Sequence, residues 1–286
     1  MDEYFSKKFV ESERILYTPS SFARKSLLHL QEIGSLKALK KHVSRRESLD
    51  SYLFFIVESG SGTLKFSGRT SFLESGDCVF ISCREAYAHE TSDELWSLRW
   101  IHFSGALMAA IYQKYIERGG KAVFRPENLS AFKKVWAKLF NIASSSEHIR
   151  DMRINEGISE LLTLLMEESW NKEGEGGNGK RKDLERIKNY LEEHYTEKIS
   201  LDELSEKFYI NKYYLTRIFK EQYGTSINQY LPEIRITSAK KALRFSDDTI
   251  EQIGYKCGLG APYYFCRMFK KVEGMPPSEF RAKWKS

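Results

Sequence analysis

Between residues 199 and 281 the chain repeats itself, and this repeat restricts the possible folds more than any other feature of its 286 residues. Tyr213-Tyr214-Leu215-Thr216-Arg217-Ile218-Phe219-Lys220 matches Tyr263-Tyr264-Phe265-Cys266-Arg267-Met268-Phe269-Lys270 at an offset of 50, and Gly224 and Gly274 extend the match. Upstream, Leu201, Leu204, Ser205, Phe208 and Ile210 match Ile250, Ile253, Gly254, Cys257 and Leu259 at an offset of 49, so the second copy carries one extra residue in its turn. Each copy reads as a short amphipathic helix, a tight turn, and a second helix ending near a glycine. A small residue on the first helix (Ser205, Gly254) lets the second cross closely, and an apolar turn residue (Ile210, Leu259) fills the gap. Asn211 suits the N-cap of one second helix and Pro262 the first turn of the other. These are the features of two helix-turn-helix units, about 199–223 and 249–273.

A duplicated hairpin in an ordinary helical bundle would show the same spacing, and charge separates the two readings. Arg217 and Lys220 recur as Arg267 and Lys270, and no acidic residue stands between Asn211 and Lys220 or between Pro262 and Lys271. The formal charge of +6 is concentrated here. Residues 181–286 hold 20 Lys and Arg against 15 Asp and Glu, whereas residues 1–180 hold 25 against 24. A basic surplus on a motif of this kind points to nucleic acid. Between the units, Ile227–Phe245 reads as one helix with Ile227, Leu231, Ile234, Ala239, Ala242 and Leu243 on its buried side. Nineteen residues at about 1.5 Å each give roughly 28 Å. That length suits placing both second helices in successive major grooves, about 34 Å apart.

Residues 171–182, NKEGEGGNGKRK, hold four glycines and no apolar side chain and read as a flexible linker. Before it, Leu129, Phe132, Val135, Trp136, Leu139 and Phe140, then Ile154, Ile158, Leu161, Leu162, Leu165 and Met166, recur at helical steps on either side of a polar break at Ser144–Ser146. Residues 50–103 are rich in Phe, Tyr, Val, Ile and Trp and cut by turns at Gly60–Gly62, Gly68 and Gly76–Asp77, the texture of an antiparallel sheet or small barrel. No apolar run reaches the roughly 18 residues of a membrane span. The charged N-terminal stretch lacks the apolar segment of a secretory signal. Cys78, Cys83, Cys257 and Cys266 show no metal spacing and read as reduced, buried thiols of a cytoplasmic protein.

Over its last hundred residues the chain resembles the AraC/XylS family of transcription regulators. Ile250 to Arg281 follows that family's signature in Gly258, Tyr264-Phe265, Arg267, Phe269-Lys270-Lys271, Gly274, Pro276-Pro277-Ser278, Phe280 and Arg281. Leu259 replaces the usual Phe, Gly254 the usual Ala, and Ala261 stands near the usual polar helix start. Pro232 is unusual inside the linker helix and is expected to bend it. Tyr213, Thr216 and Arg217 share one helix face, as do Tyr263, Cys266 and Arg267. The resemblance puts these six at the base edges of DNA, and Lys212, Lys220, Lys270 and Lys271, near the ends of the second helices, are the expected phosphate contacts.

More loosely, Tyr52, Gly60-Ser61-Gly62, Gly76-Asp77, His89 and Trp96 through Gly105 resemble the same family's sensor domain, a cupin-like barrel followed by two helices. The resemblance implies an α+β chain: a cupin-like antiparallel barrel over 1–127, a helical pair over 128–170 that joins two protomers unless it serves core packing alone, the linker 171–182, and a DNA-binding domain over 183–286. Trp96, Leu98, Trp100 and His102 alternate onto one strand face, as plain core or as an aromatic wall for a small ligand such as a sugar. His89 is either a structural histidine or a ligand contact, and the expected effector set is His89, Trp96, Leu98 and Trp100. His89 and His102 form no His-x-His pair, so no metal, cofactor or catalytic residue is expected and the chain is not expected to be an enzyme. The partners implied are double-stranded DNA, a small-molecule effector, RNA polymerase and a second copy of the chain, with no membrane. The rival readings keep the DNA-binding units but give the N-terminal domain a protein or fatty-acid partner, or make it a cupin enzyme.

Overall fold

The computed structural model describes residues 9–169 and 177–284, with no side chain of 177–182. The chain forms two compact units, Met1–Asn171 and Lys172–Ser286. Strand content begins well before residue 50. The first unit runs β1 (Val10–Leu16), α1 (Ser21–Ser26), β2 (His29–Ala38), β3 (Val43–Arg46), β4 (Tyr52–Ser59), β5 (Ser61–Phe66), β6 (Arg69–Glu74), β7 (Cys78–Ser82), β8 (Tyr87–Thr91), β9 (Ser97–Ser104), α2 (Met108–Glu117), β10 (Val123–Phe124), α3 (Leu129–Ser144) and α4 (Arg150–Glu168). Two antiparallel sheets result, one ordered β1-β2-β9-β4-β7-β10 and the other β3-β8-β5-β6.

The larger sheet is covered on both faces, which explains why Tyr52–Val57 is an unbroken apolar run. One face, with Tyr52, Phe54, Phe80 and Phe103, packs under α2, α3 and α4. The other, with Leu53, Phe55, Leu98 and Trp100, meets Leu64, Leu73 and Tyr87 of the smaller sheet and forms the barrel interior. Trp100 fits against β2 because residue 34 has no side chain. A Cβ on Gly34 would stand 2.7 Å from the indole and 2.5 Å from the Glu13 carbonyl oxygen. The helical pair breaks where the polar Ser144–Ser146 segment predicts, and Gly157 of α4 lies directly on Leu139 of α3.

The second unit is all helix: α5 (Gly177–Glu193), α6 (Leu201–Phe208), α7 (Lys212–Tyr223), α8 (Ile227–Phe245), α9 (Ile250–Lys256), α10 (Pro262–Glu273) and α11 (Pro277–Trp284). The linker expected over 171–182 begins outside the described residues, and from residue 177 the backbone is already helical. Leu184, Ile187 and Leu191 are buried at helical spacing. A helix anchored by them propagates upstream through Lys180-Arg181-Lys182, all good helix formers. α8 matches its predicted bounds and continues through Pro232. Its first half (Ile227, Leu231) belongs to one core with α5, α6 and α7, and its second (Ile236, Ala239, Leu243) to another with α9, α10 and α11. Ile234 and Ala242 are half-buried at the edges of these cores, and Ile236, absent from the predicted face, is fully buried.

Candidate nucleic-acid interface and effector cavity

The two helix-turn-helix units are built alike down to single hydrogen bonds. Capping boxes start both first helices, Ser200 with Glu203 and Thr249 with Gln252. In the turns, Ile210 N–H donates to the Ser205 carbonyl and Leu259 N–H to the Gly254 carbonyl. Tyr209 and Gly258 both adopt the left-handed conformation, at φ 53° and 69°. The extra residue of the second copy is Gly260, also left-handed at φ 68°, a conformation a side chain would strain. Ser205 donates its hydroxyl to the Ile210 carbonyl at 2.7 Å, whereas a Cβ on Gly254 would stand 3.1 Å from the Gly260 oxygen. Gly224 and Gly274 close the second helices with equivalent bonds to the Lys220 and Lys270 carbonyls. Arg281 donates to the Asp248 carbonyl at 2.6 Å and ties α11 to the start of α9.

α7 and α10 bury Leu215 and Phe219, and Phe265 and Phe269, and turn the opposite face outward. Tyr213 and Tyr263, at equivalent positions of the two copies, are 77% and 78% exposed and belong to neither core. Arg217 and Arg267 are exposed beside them, and Thr216 and Cys266 are half-buried on the same faces. Arg217 is held loosely, with Glu221 at 3.8 Å and its guanidinium 5.4 Å from the centre of the Tyr214 ring. The Thr216 hydroxyl donates back to the Lys212 carbonyl at 2.8 Å, leaving its oxygen as an acceptor. Lys220, Lys270 and Lys271 are exposed. Lys212 differs: its ammonium contacts Asp202 at 2.7 Å, a bond that raises its pKa.

In the first unit the barrel holds a partly open cavity of about 70 Å³. Three of the four expected effector residues, His89, Leu98 and Trp100, line it. Trp96 does not: it is fully buried behind His89, ring centres 5.8 Å apart, because the chain turns into β9 only at Ser97. His102, one step further along the face of Leu98 and Trp100, lines the cavity as the alternation implies, with Nδ1 2.9 Å from the Ser51 hydroxyl. Sequence reasoning missed the polar lining: Arg14, Glu32, His42, Arg46 and Tyr87. Arg14 pairs with Glu32 at 3.1 Å and lies over the Trp100 ring at 5.3 Å. Burial holds the imidazoles neutral. His89 is pushed down to about 3 by desolvation and then by His42, Arg46 and His102. His102 falls to about 4 through desolvation and then Arg46 and Arg14. The thiols of Cys78, Cys83 and Cys257 are buried as expected, while Cys266 is half-buried. Among the described residues no group of histidines, cysteines and carboxylates could hold a metal ion, and no helix is long and apolar enough to cross a membrane.

Residues 29–162 match the family described as AraC-like ligand binding domain, and residues 204–283 match a helix-turn-helix domain family. Among relatives, the uncharacterized regulator YisR of Bacillus subtilis is 26% identical over 268 residues, covering 87% of this chain and 91% of its own. The transcriptional activator RhaS of Yersinia pestis is 24% identical over 249 residues, covering 82% and 88%. Among solved structures, the C-terminal domain of the response regulator AraT from Geobacillus stearothermophilus aligns with 36% of this chain and 87% of its own, at 26% identity and a TM-score of 0.36.

Proposed function

The chain belongs to the AraC/XylS family of DNA-binding transcription regulators, and from that premise we propose how its residues divide the work. The observation that carries the proposal is the duplicated outward face: exposed Tyr213 with Arg217, and exposed Tyr263 with Arg267, on helices free of acidic residues up to Lys220 and Lys271. Tyr213, Thr216 and Arg217 on α7, and Tyr263, Cys266 and Arg267 on α10, face base edges in the major groove. Arg217 exchanges its loose Glu221 partner for guanine. Lys220, Lys270 and Lys271 neutralise phosphates, and Lys212 joins them by releasing Asp202. A small molecule in the barrel cavity, against His89, Leu98 and Trp100, is the effector. A second copy docks through α3 and α4, RNA polymerase is the downstream partner, and the setting is the cytoplasm.

Base reading and phosphate binding are separated by one titration. The full chain is bound to a selected DNA site and to variants of it over a range of salt. Arg217→Ala loses about 1–3 kcal/mol of discrimination at one base pair. Lys271→Gln weakens all sequences equally and lowers the slope of log K against log salt by about one. An Arg217→Ala protein with unchanged preference, or a sequence-dependent loss in Lys271→Gln, contradicts the assignment of that residue.

A further inference from the structure

The cavity lining is more charged than a neutral sugar requires. It carries two guanidinium groups, Arg14 and Arg46, against one carboxylate, Glu32, which already contacts Arg14. One face of Trp100, the surface on which a sugar ring would stack, is covered by the Arg14 guanidinium. His89 adds an unanswered polar group. Its Nδ1 is buried without a hydrogen-bond partner among the described residues, although the side chain borders open space. Buried polar atoms in native proteins are nearly always satisfied, so this nitrogen calls for a ligand atom or a water.

A second, open groove of matching charge borders the cavity lining. Arg46 and Tyr87 line both the cavity and this groove, of about 590 Å³, at the end of the smaller sheet. Strand pairing builds this groove. Arg45 and Lys65 flank Ala88 in one row across β3, β8 and β5, on the sheet face turned away from the barrel interior, and the small Ala88 leaves a depression between two cations. In the next row Arg46, Tyr87 and Phe66 are followed by Arg69 of β6. The groove thus presents Arg45, Arg46, Lys65 and Arg69 against Glu47 alone. A surface of one sign beside the cavity raises the local concentration of ligands of the opposite sign and speeds their encounter. The cavity is far smaller than a drug-sized pocket, which suits a compact ligand.

We propose that the effector is a compact organic acid, attracted by the field of Arg45, Lys65 and Arg69 and held by its carboxylate in the cavity against Arg46 and His89. This rests on the reading of the barrel as the effector site, and the test separates the two. Thermal unfolding of the full chain is followed with matched pairs at equal ionic strength: glucuronate against glucose, and glycerate against glycerol. An acid present at about a hundredfold excess over its Kd raises the sensor transition by roughly 5 °C or more, while its neutral partner does nothing. Arg46→Gln weakens the acid by roughly 10- to 100-fold, the loss of a charge-assisted hydrogen bond, and Arg46→Lys recovers part of it. Neutralising the exposed Arg45, Lys65 and Arg69 together slows association of the acid and leaves its salt dependence flatter. Protection by glucose or glycerol equal to that of the acid, or no protection by either acid, overturns the assignment. If the neutral compound's effect is then lost in Trp100→Phe, the barrel remains the effector site and only the acid is wrong. Protection by an acid that survives both Arg46→Gln and Trp100→Phe puts the ligand elsewhere and overturns the barrel reading as well.

Discussion

Arg217 and Lys212 are partnered before DNA arrives, and the quality of each partnership decides what releasing it costs. An exposed pair at 3.8 Å stabilises the free protein little, so Arg217 is available; the Lys212–Asp202 bond at 2.7 Å is the firmer of the two. In the barrel the decisive residues are the neutral histidines. An unfolded imidazole takes up a proton near pH 6.5, but His89 does so only at about 3 and His102 at about 4. The unfolded chain therefore binds more protons throughout this interval. Stability is complete above pH 6.5 and falls as the pH drops towards 4. The melting temperature of the sensor transition should decline over that range, and His89→Gln should decline less steeply than wild type. Equal slopes would mean that His89 is not held neutral by the fold. The charged lining around these histidines was not legible in the sequence. Arg14, Glu32 and Arg46 lie far apart in sequence, and a polar side chain facing an internal cavity has the same periodicity as one facing water. Leu98, Trp100 and His102 were legible because three alternate residues of one strand must share a face.

At the level of elements, what could be read and what could not follows from burial. The α6–α7 and α9–α10 pairs, α8 and the α3–α4 pair each bury one apolar stripe, and a stripe of 3.6-residue period is visible in the sequence. β1 was not, because only Val10 of its seven residues is fully buried and it holds its place through pairing with β2. β3 is four residues ending in two arginines, a composition that resembles a surface loop. The start of α5 is not visible in the sequence, because Gly177 and Gly179 disguise a helix anchored further on by Leu184, Ile187 and Leu191. β2 carries a testable link between packing and sensing. An alanine at position 34 must displace the Glu13 carbonyl or push Trp100 towards the cavity. Overpacking of this kind costs about 1–3 kcal/mol. Gly34→Ala should lower the sensor transition and the effector response while leaving the unfolding of the helical C-terminal unit unchanged. A shift in both transitions, or in neither, would contradict that separation.

At the scale of the whole molecule, an effector can change DNA affinity only by binding two arrangements of the protein unequally. For the dimer proposed through α3 and α4, we expect assembly to be unaffected by the effector. Sedimentation of the full chain should then show a dimer with and without effector, and dimerisation that requires effector would move the switch to α3 and α4. The central claim, however, is the division of DNA reading between two copies of one motif, and it is tested most directly by selecting binding sites from a random DNA pool. The full chain should select a bipartite site whose two short conserved blocks lie about 10 base pairs apart, one helical turn. Arg217→Ala should erase preference in one block and Arg267→Ala in the other. The Arg217 block should be the sharper, since Cys266 is a poorer hydrogen-bonding partner than Thr216. A single conserved block, or two variants that select the same site as the wild type, would contradict the account.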